Sequence, residues 1–233
     1  MPGYAVLDTE TTGFSPATGD RVLEVAVVLL DSAGRVESEW ETLLNPGRGV
    51  GPEHIHGITP AIIERAPRFA DIAAYLAHLL SGRLVVGHNV AFDARFLHAE
   101  FDALGMDVPL QANRCLCTQA LARDHLPGPQ RTLAACCEQT GVHHLDAHSA
   151  LGDTRATAGL LQYFLRHGPV PAPWRSLHDA AARAPWPVAA RSAPVPPPAW
   201  LGGGELEGML DLASVMPAPA AAEVPTPVRT LTR

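Results

Sequence analysis

The chain has 233 residues, enough for one domain of ordinary size with a remainder, and its 47% hydrophobic and 18% charged composition is that of a soluble globular protein. No stretch approaches the ~18 uninterrupted apolar residues of a membrane span, and Met1 to Leu7 lacks the basic region that opens a secretory signal, so a cytoplasmic setting is expected. The net charge of −7 lies wholly in residues 1–167, with 12 Arg against 19 acidic residues; such a domain is a poor general binder of nucleic acid, and contact with phosphate has to be local and helped by bound metal ions.

In chain order, Tyr4 to Leu7 is a short apolar run ending at Asp8 and a Thr, Gly, Ser and Pro cluster, the pattern of a buried strand emptying into a loop. Arg21 to Leu30 is Val-rich, and Val36 to Leu44 alternates as Val, Ser, Trp, Thr and Leu, so the two read as a meander with the first strand. From Pro60 the spacing turns helical, through Ile62, Ile63, Phe69, Ile72, Ala73, Leu76, Leu79 and Leu80, with Gly82 as a stop. Arg83 to Gly87 is a further strand. Ala91 to Leu104 is a helix with Phe92, Phe96 and Phe101 toward the core, and Arg114 to Cys117 a last strand. Helices are expected near Thr118 to His125, Thr132 to Thr140 and Ala147 to Arg166. Strands first, then strands alternating with helices, predict an α/β domain over residues 1–167 with one mixed sheet between helices.

Cys115 and Cys117 are one residue apart and Cys136 and Cys137 adjacent, closer than structural zinc wants, so they read as small buried side chains without disulfides. Most of the 22 prolines crowd into the last third, and residues 168–233 read as a largely disordered Pro/Ala-rich tail. Trp174 to Ala184 and Leu206 to Met216 are apolar enough for short helices; the second reads either as a docking segment or as a linker with no partner.

Three acidic elements carry the chemistry. Asp8 and Glu10, two apart on an extended strand, point the same way and can share a cation, and the backbone of Thr11, Thr12 and Gly13 can meet a phosphate or a 3′ hydroxyl. His88 and Asn89 follow the strand that ends at Gly87 and lead to Asp93 in the first turn of a helix, at the edge where ligands gather in open α/β sheets. In the third element His148 and Asp153 are five apart, ~140° around a helix, so His148 must precede the helix to face the same place as Asp153. There it can serve as a base over a metal that the Asp holds.

Together these elements resemble the DnaQ-like DEDDh exonucleases: DTETTG at 8–13 is similar to the first family motif, HNVAFD at 88–93 to the second and HSALGD at 148–153 to the third. The segment His56 to Thr59 is also similar to one typical of that family, and the likeness spans roughly residues 4–167. The resemblance implies an RNase H-like fold with a mixed five-stranded sheet. It implies two Mg²⁺ or Mn²⁺ ions, with Asp8, Glu10 and Asp153 on one and Asp8 and Asp93 on the other. By the same resemblance His148 is the base, and Asn89 and the Thr11 to Gly13 backbone hold the terminal nucleotide; His88 reads either as orienting Asn89 or touching phosphate, or as a packed core histidine. The implied reaction is 3′–5′ hydrolysis of single-stranded or frayed DNA ends to nucleoside 5′-monophosphates, in proofreading or repair. The tail would then reach a DNA polymerase subunit. A Gln-led clamp-binding peptide is not evident, since no Gln follows Gln162. Two alternatives stand beside this reading: a 3′–5′ exoribonuclease of the RNase T or oligoribonuclease kind, and an inactive polymerase-binding scaffold.

Overall fold

A computed structural model describes residues 3–145 and 149–187. Five strands form one sheet in the order β3-β2-β1-β4-β5, with β1 (Tyr4–Thr11), β2 (Val22–Leu30) and β3 (Val36–Leu43) as the antiparallel meander. On the other side of β1, β4 (Leu84–Gly87) and β5 (Leu116–Cys117) run parallel to it. The mixed sheet between helices, expected from the alternation of patterns, is observed, with the five strands that the resemblance implies.

Strand alternation divides the sheet into two apolar layers. Ala5, Leu7, Val25, Val27, Leu29 and Val85 point to one face, under α3 (Phe69–Leu80) and α4 (Ala91–Asp102), where Phe96 and Phe101 are fully buried. Tyr4, Val6, Val28, Leu30, Leu84 and Val86 point to the other, beneath α5 (Thr118–His125), α6 (Leu133–Thr140) and α7 (Ala150–His167). Two single-turn helices, α1 (Glu53–His56) and α2 (Pro60–Ile63), lead into α3. His56 organises this stretch: its Nδ1 accepts the Ile58 N–H at 3.0 Å, which leaves Nε2 to donate to the Val50 carbonyl at 3.2 Å. The four cysteines are free, three of them buried, which agrees with their reading as small core side chains.

The packed chain continues past His167. Trp174 is 4% exposed in the second layer, its indole N–H 3.4 Å from the Tyr4 hydroxyl, and α8 (Arg175–Arg183) follows with Leu177 and Ala181 against the same layer. Trp186 reaches the first layer. The helix expected at 174–184 is therefore part of the domain, whereas the second tail segment, 206–216, lies outside the described residues. Truncation after His167 should remove a buried Trp and cost ~3–5 kcal/mol, comparable with a Trp→Ala change in a core. Truncation after Pro187 keeps Trp174 and Trp186 and should spare that cost. Equal midpoints for the two truncations would show α8 to be dispensable.

Candidate active site

β1 and β4 are parallel and end at the same edge of the sheet. On β1 the layer facing α7 begins with Tyr4 and Val6 and continues with Asp8 and Glu10, so one surface changes from core to carboxylate within two strand periods. Opposite them in the antiparallel register stand Ala26 and Glu24. The third carboxylate comes from α7, where Ser149 caps the helix by accepting the Gly152 N–H at 3.1 Å and Asp153 follows in the first turn. One ligand atom from each of Asp8, Glu10 and Asp153 lies within 4.8 Å of the others.

Asp93 reaches the site from the opposite layer. It occupies the first turn of α4, is 3% exposed, and accepts a 2.8 Å hydrogen bond from the Thr9 hydroxyl. Thr9 lies between Asp8 and Glu10, so its side chain leaves β1 on the α4 side and holds Asp93 at the strand edge. Asp93 still acts on the others electrostatically. Burial pushes the Asp8 carboxyl well above its ordinary range, with the charges of Asp93, Asp153, Glu10 and Glu24 adding in that order. Burial and then Glu24, Asp153 and Asp93 push Glu10 up to about 8. Asp93 is raised to about 7 by burial, against the lowering effect of the Thr9 hydrogen bond. No described cationic side chain pairs with Asp8 or Glu10. Crowded hard oxygen donors of this kind are what a divalent cation fits.

One described histidine bears on this site, and the base that the resemblance implies, His148, is not among the described residues. His144, on the loop before α7, places Nε2 2.6 Å from Asp153 Oδ1. The sequence gives little sign of that contact, because nine residues and a loop separate the pair.

Of the other singled-out residues, Thr11 donates to the Gly13 carbonyl at 2.7 Å, and Thr12 accepts the Arg21 N–H on its hydroxyl at 3.0 Å. Both hydroxyls are thus spent on shaping the loop. Gly51, at φ +77°, packs so closely on the Thr12 carbonyl that a side chain would collide with it. Phe14, in the loop after β1, is exposed, its carbonyl held at 3.0 Å by Arg95, whose guanidinium stacks 5.6 Å over Phe92. Phe92 is partly buried against the core. Both ring nitrogens of His88 are engaged inside the protein, with Thr118 at 3.0 Å and the Arg131 carbonyl at 2.8 Å, and burial lowers its pKa. Asn89 adopts a left-handed conformation at φ 69°, which Asn tolerates better than most residues, and this turns β4 into α4.

This geometry matches proteins of known type. The RNase T-type exonuclease family matches residues 5–161. The DNA polymerase III subunit epsilon of Treponema pallidum is 32% identical over 169 residues, covering 70% of this chain and 77% of that protein. A DNA polymerase III subunit epsilon-like protein of Rhodobacter capsulatus is 33% identical over 70% of this chain, which spans only 23% of that longer protein. Among solved structures, exonuclease X in complex with 5′ overhanging duplex DNA superposes with a TM-score of 0.59 at 25% identity, over 76% of this chain and 99% of that one. Motifs, sheet topology and these matches agree, and the chain belongs to the DnaQ-like 3′–5′ exonuclease family.

Proposed function

We propose that this chain hydrolyses the 3′-terminal phosphodiester of single-stranded or frayed DNA, releasing nucleoside 5′-monophosphates with two Mg²⁺ or Mn²⁺ ions. The observation that carries this reading is the convergence of Asp8, Glu10 and Asp153 within 4.8 Å, with the Asp93 charge acting on Asp8 and, among the described residues, no cationic side chain paired with Asp8 or Glu10. Asp8, Glu10 and Asp153 would hold one ion, and Asp8 with Asp93 a second. When bound, the pair supplies charge neutralisation at the phosphate and alignment for in-line displacement.

The chain's own residues do the rest. Thr9 fixes the Asp93 carboxylate and so the spacing between the two sets of ligands. Phe14, 77% exposed in the loop that follows Asp8 and Glu10, would offer a face on which a base can stack, and Arg95 braces its loop. Asn89 and the Thr11 to Gly13 backbone would contact the last nucleotide, and His88, bonded to Thr118 and the Arg131 carbonyl, braces the turn before Asn89. His148 takes the proton of the attacking water on its imidazole. The tail segment 206–216 would serve as the contact with a polymerase, by analogy with the epsilon relatives.

The test is to offer the full chain, with Mg²⁺ or Mn²⁺, 5′-labelled DNA and RNA strands with matched and mismatched ends. A ladder shortening from the 3′ end, faster on DNA, is expected. An unchanged label on every strand would refute the reading, and faster loss of RNA would move it to the exoribonuclease class. For the base, His148→Ala should lower kcat by ~10²–10⁴-fold and flatten the acid limb of the pH profile. His144→Ala should keep that limb. The reverse pattern would transfer the role to the ring beside Asp153.

A further inference from the structure

β2 reads Val, Leu, Glu, Val, Ala, Val, Val, Leu, Leu, and every one of its residues is buried. Glu24 is its one charged side chain, 6% exposed, at a position where an apolar residue would extend the layer beneath α7. A carboxylate in such a place is costly without a compensating partner. Its partner is a helix end: the Ala150 N–H donates to Glu24 Oε2 at 3.1 Å, across 126 residues of chain.

The place of that bond gives it a consequence. Ala150 is the first residue of α7, so its N–H is one of the groups that a helix leaves without an internal acceptor. Ser149 satisfies the Gly152 N–H and Glu24 the Ala150 N–H, and between them the helix start is fixed in both direction and height. The positive end of the helix dipole favours the Glu24 charge in return. Asp153 sits three residues beyond Ala150 in the same turn, and Glu10 lies directly across the strand pair from Glu24. One side chain thus ties the strand beside Glu10 to the helix that carries Asp153.

We infer that Glu24 is a positioning residue for the exonuclease reaction: its bond to the Ala150 N–H fixes the start of α7, so that Asp153 meets Asp8 and Glu10 at ligand distance. The inference rests on the proposed nuclease reading of that site. Glu24 need not touch substrate. It acts by holding a ligand, as outer hydrogen bonds do around metal sites, where their loss typically costs 10–100-fold in affinity or activity.

The experiment compares the full chain with Glu24→Gln and Glu24→Ala. Gln keeps a carbonyl oxygen able to accept the Ala150 N–H, and Ala removes the acceptor. Three readouts are taken: the Mg²⁺ concentration for half-maximal trimming of a 5′-labelled single strand, kcat and KM for that strand, and hydrogen exchange at the Ala150 amide. Glu24→Ala should raise the half-saturating Mg²⁺ at least about tenfold, lower kcat by ~10–100-fold with KM changed less than about threefold, and unlock the Ala150 amide. Glu24→Gln should stay within about threefold of the parent in all kinetic values and keep the amide slow. If Glu24→Ala does not fold, Glu24→Gln alone decides: a loss of the size predicted for Ala shows that charge rather than the hydrogen bond matters and overturns the inference. So does a Glu24→Ala chain with the parent's Mg²⁺ dependence. An unaltered chain that trims nothing would sink the nuclease reading itself, while the exchange measurement would still report whether the strut exists.

Discussion

Asp8→Asn should abolish trimming, with a loss of at least about 10³-fold, and at the same time raise the melting temperature of the metal-free protein near pH 8. Both effects come from the same placement. Asp8 is half-buried among Asp93, Asp153, Glu10 and Glu24, so its carboxyl resists ionisation and the folded chain carries the cost of crowding negative charge. The neutral amide removes that cost and removes the ligand shared by both proposed ion sites. With roughly 2–4 °C expected per kcal/mol for a domain of this size, a gain of a few degrees is readable by calorimetry. Mg²⁺ should then raise the melting temperature of the parent and leave that of the variant nearly unchanged. A variant that trims at the parent's rate, or melts lower without metal, would show that the carboxylates do not act as one charged cluster.

The second large effect is a pH dependence of metal-free stability opposite to that of most proteins with paired carboxylates. Glu10 is raised to about 8, and Asp93 and Glu24 to about 7, Glu24 by burial that the Ala150 N–H partly offsets. Each keeps its proton in the folded state at pH values where the unfolded chain has released it. Their contribution is fully present below the unfolded carboxylate range, near pH 4, and is lost as pH rises through 7 to 8. Metal-free unfolding free energy should therefore fall by several kcal/mol, in order of magnitude, from about pH 5 to about pH 8.5. Bound divalent ions favour the ionised carboxylates, so the gain in melting temperature from Mg²⁺ should grow over the same interval and reach about 5 °C or more at saturating metal. Denaturant titrations with EDTA and with Mg²⁺ at both pH values check this. Metal-free stability that rises with pH across that window would contradict the assignment of these groups.

Much of this arrangement is legible in the chain itself. Asp8 and Glu10 share a face because strands alternate, and a strand that empties acidic residues into a loop is visible as such. Helical geometry puts the expected base, His148, ahead of the helix that carries Asp153, outside the described residues. Other contacts depend on which layer each helix joins. The Thr9 bond to Asp93 needs α4 on the face away from Asp8, which no local pattern announces. Glu24 does leave a trace, as the lone charge in a run that is otherwise apolar. Its meaning appears only when the α7 start arrives from 126 residues away. The domain edge beyond His167 escaped the composition because Pro and Ala dominate there, and burial of one Trp outweighs both.

Thr9 between Asp8 and Glu10 also sets how this strand can evolve. Successive side chains of β1 feed the metal cluster from one layer and anchor Asp93 from the other, so both layers depend on the same parity. Inserting or deleting one codon between Tyr4 and Asp8 would swap the two roles at a stroke, sending the acids toward Phe96 and the threonine toward α7. Substitutions along this strand can be absorbed one at a time, but a change in its length cannot, and lineages carrying this domain should tolerate indels in the loops at either end of β1 far sooner than within it.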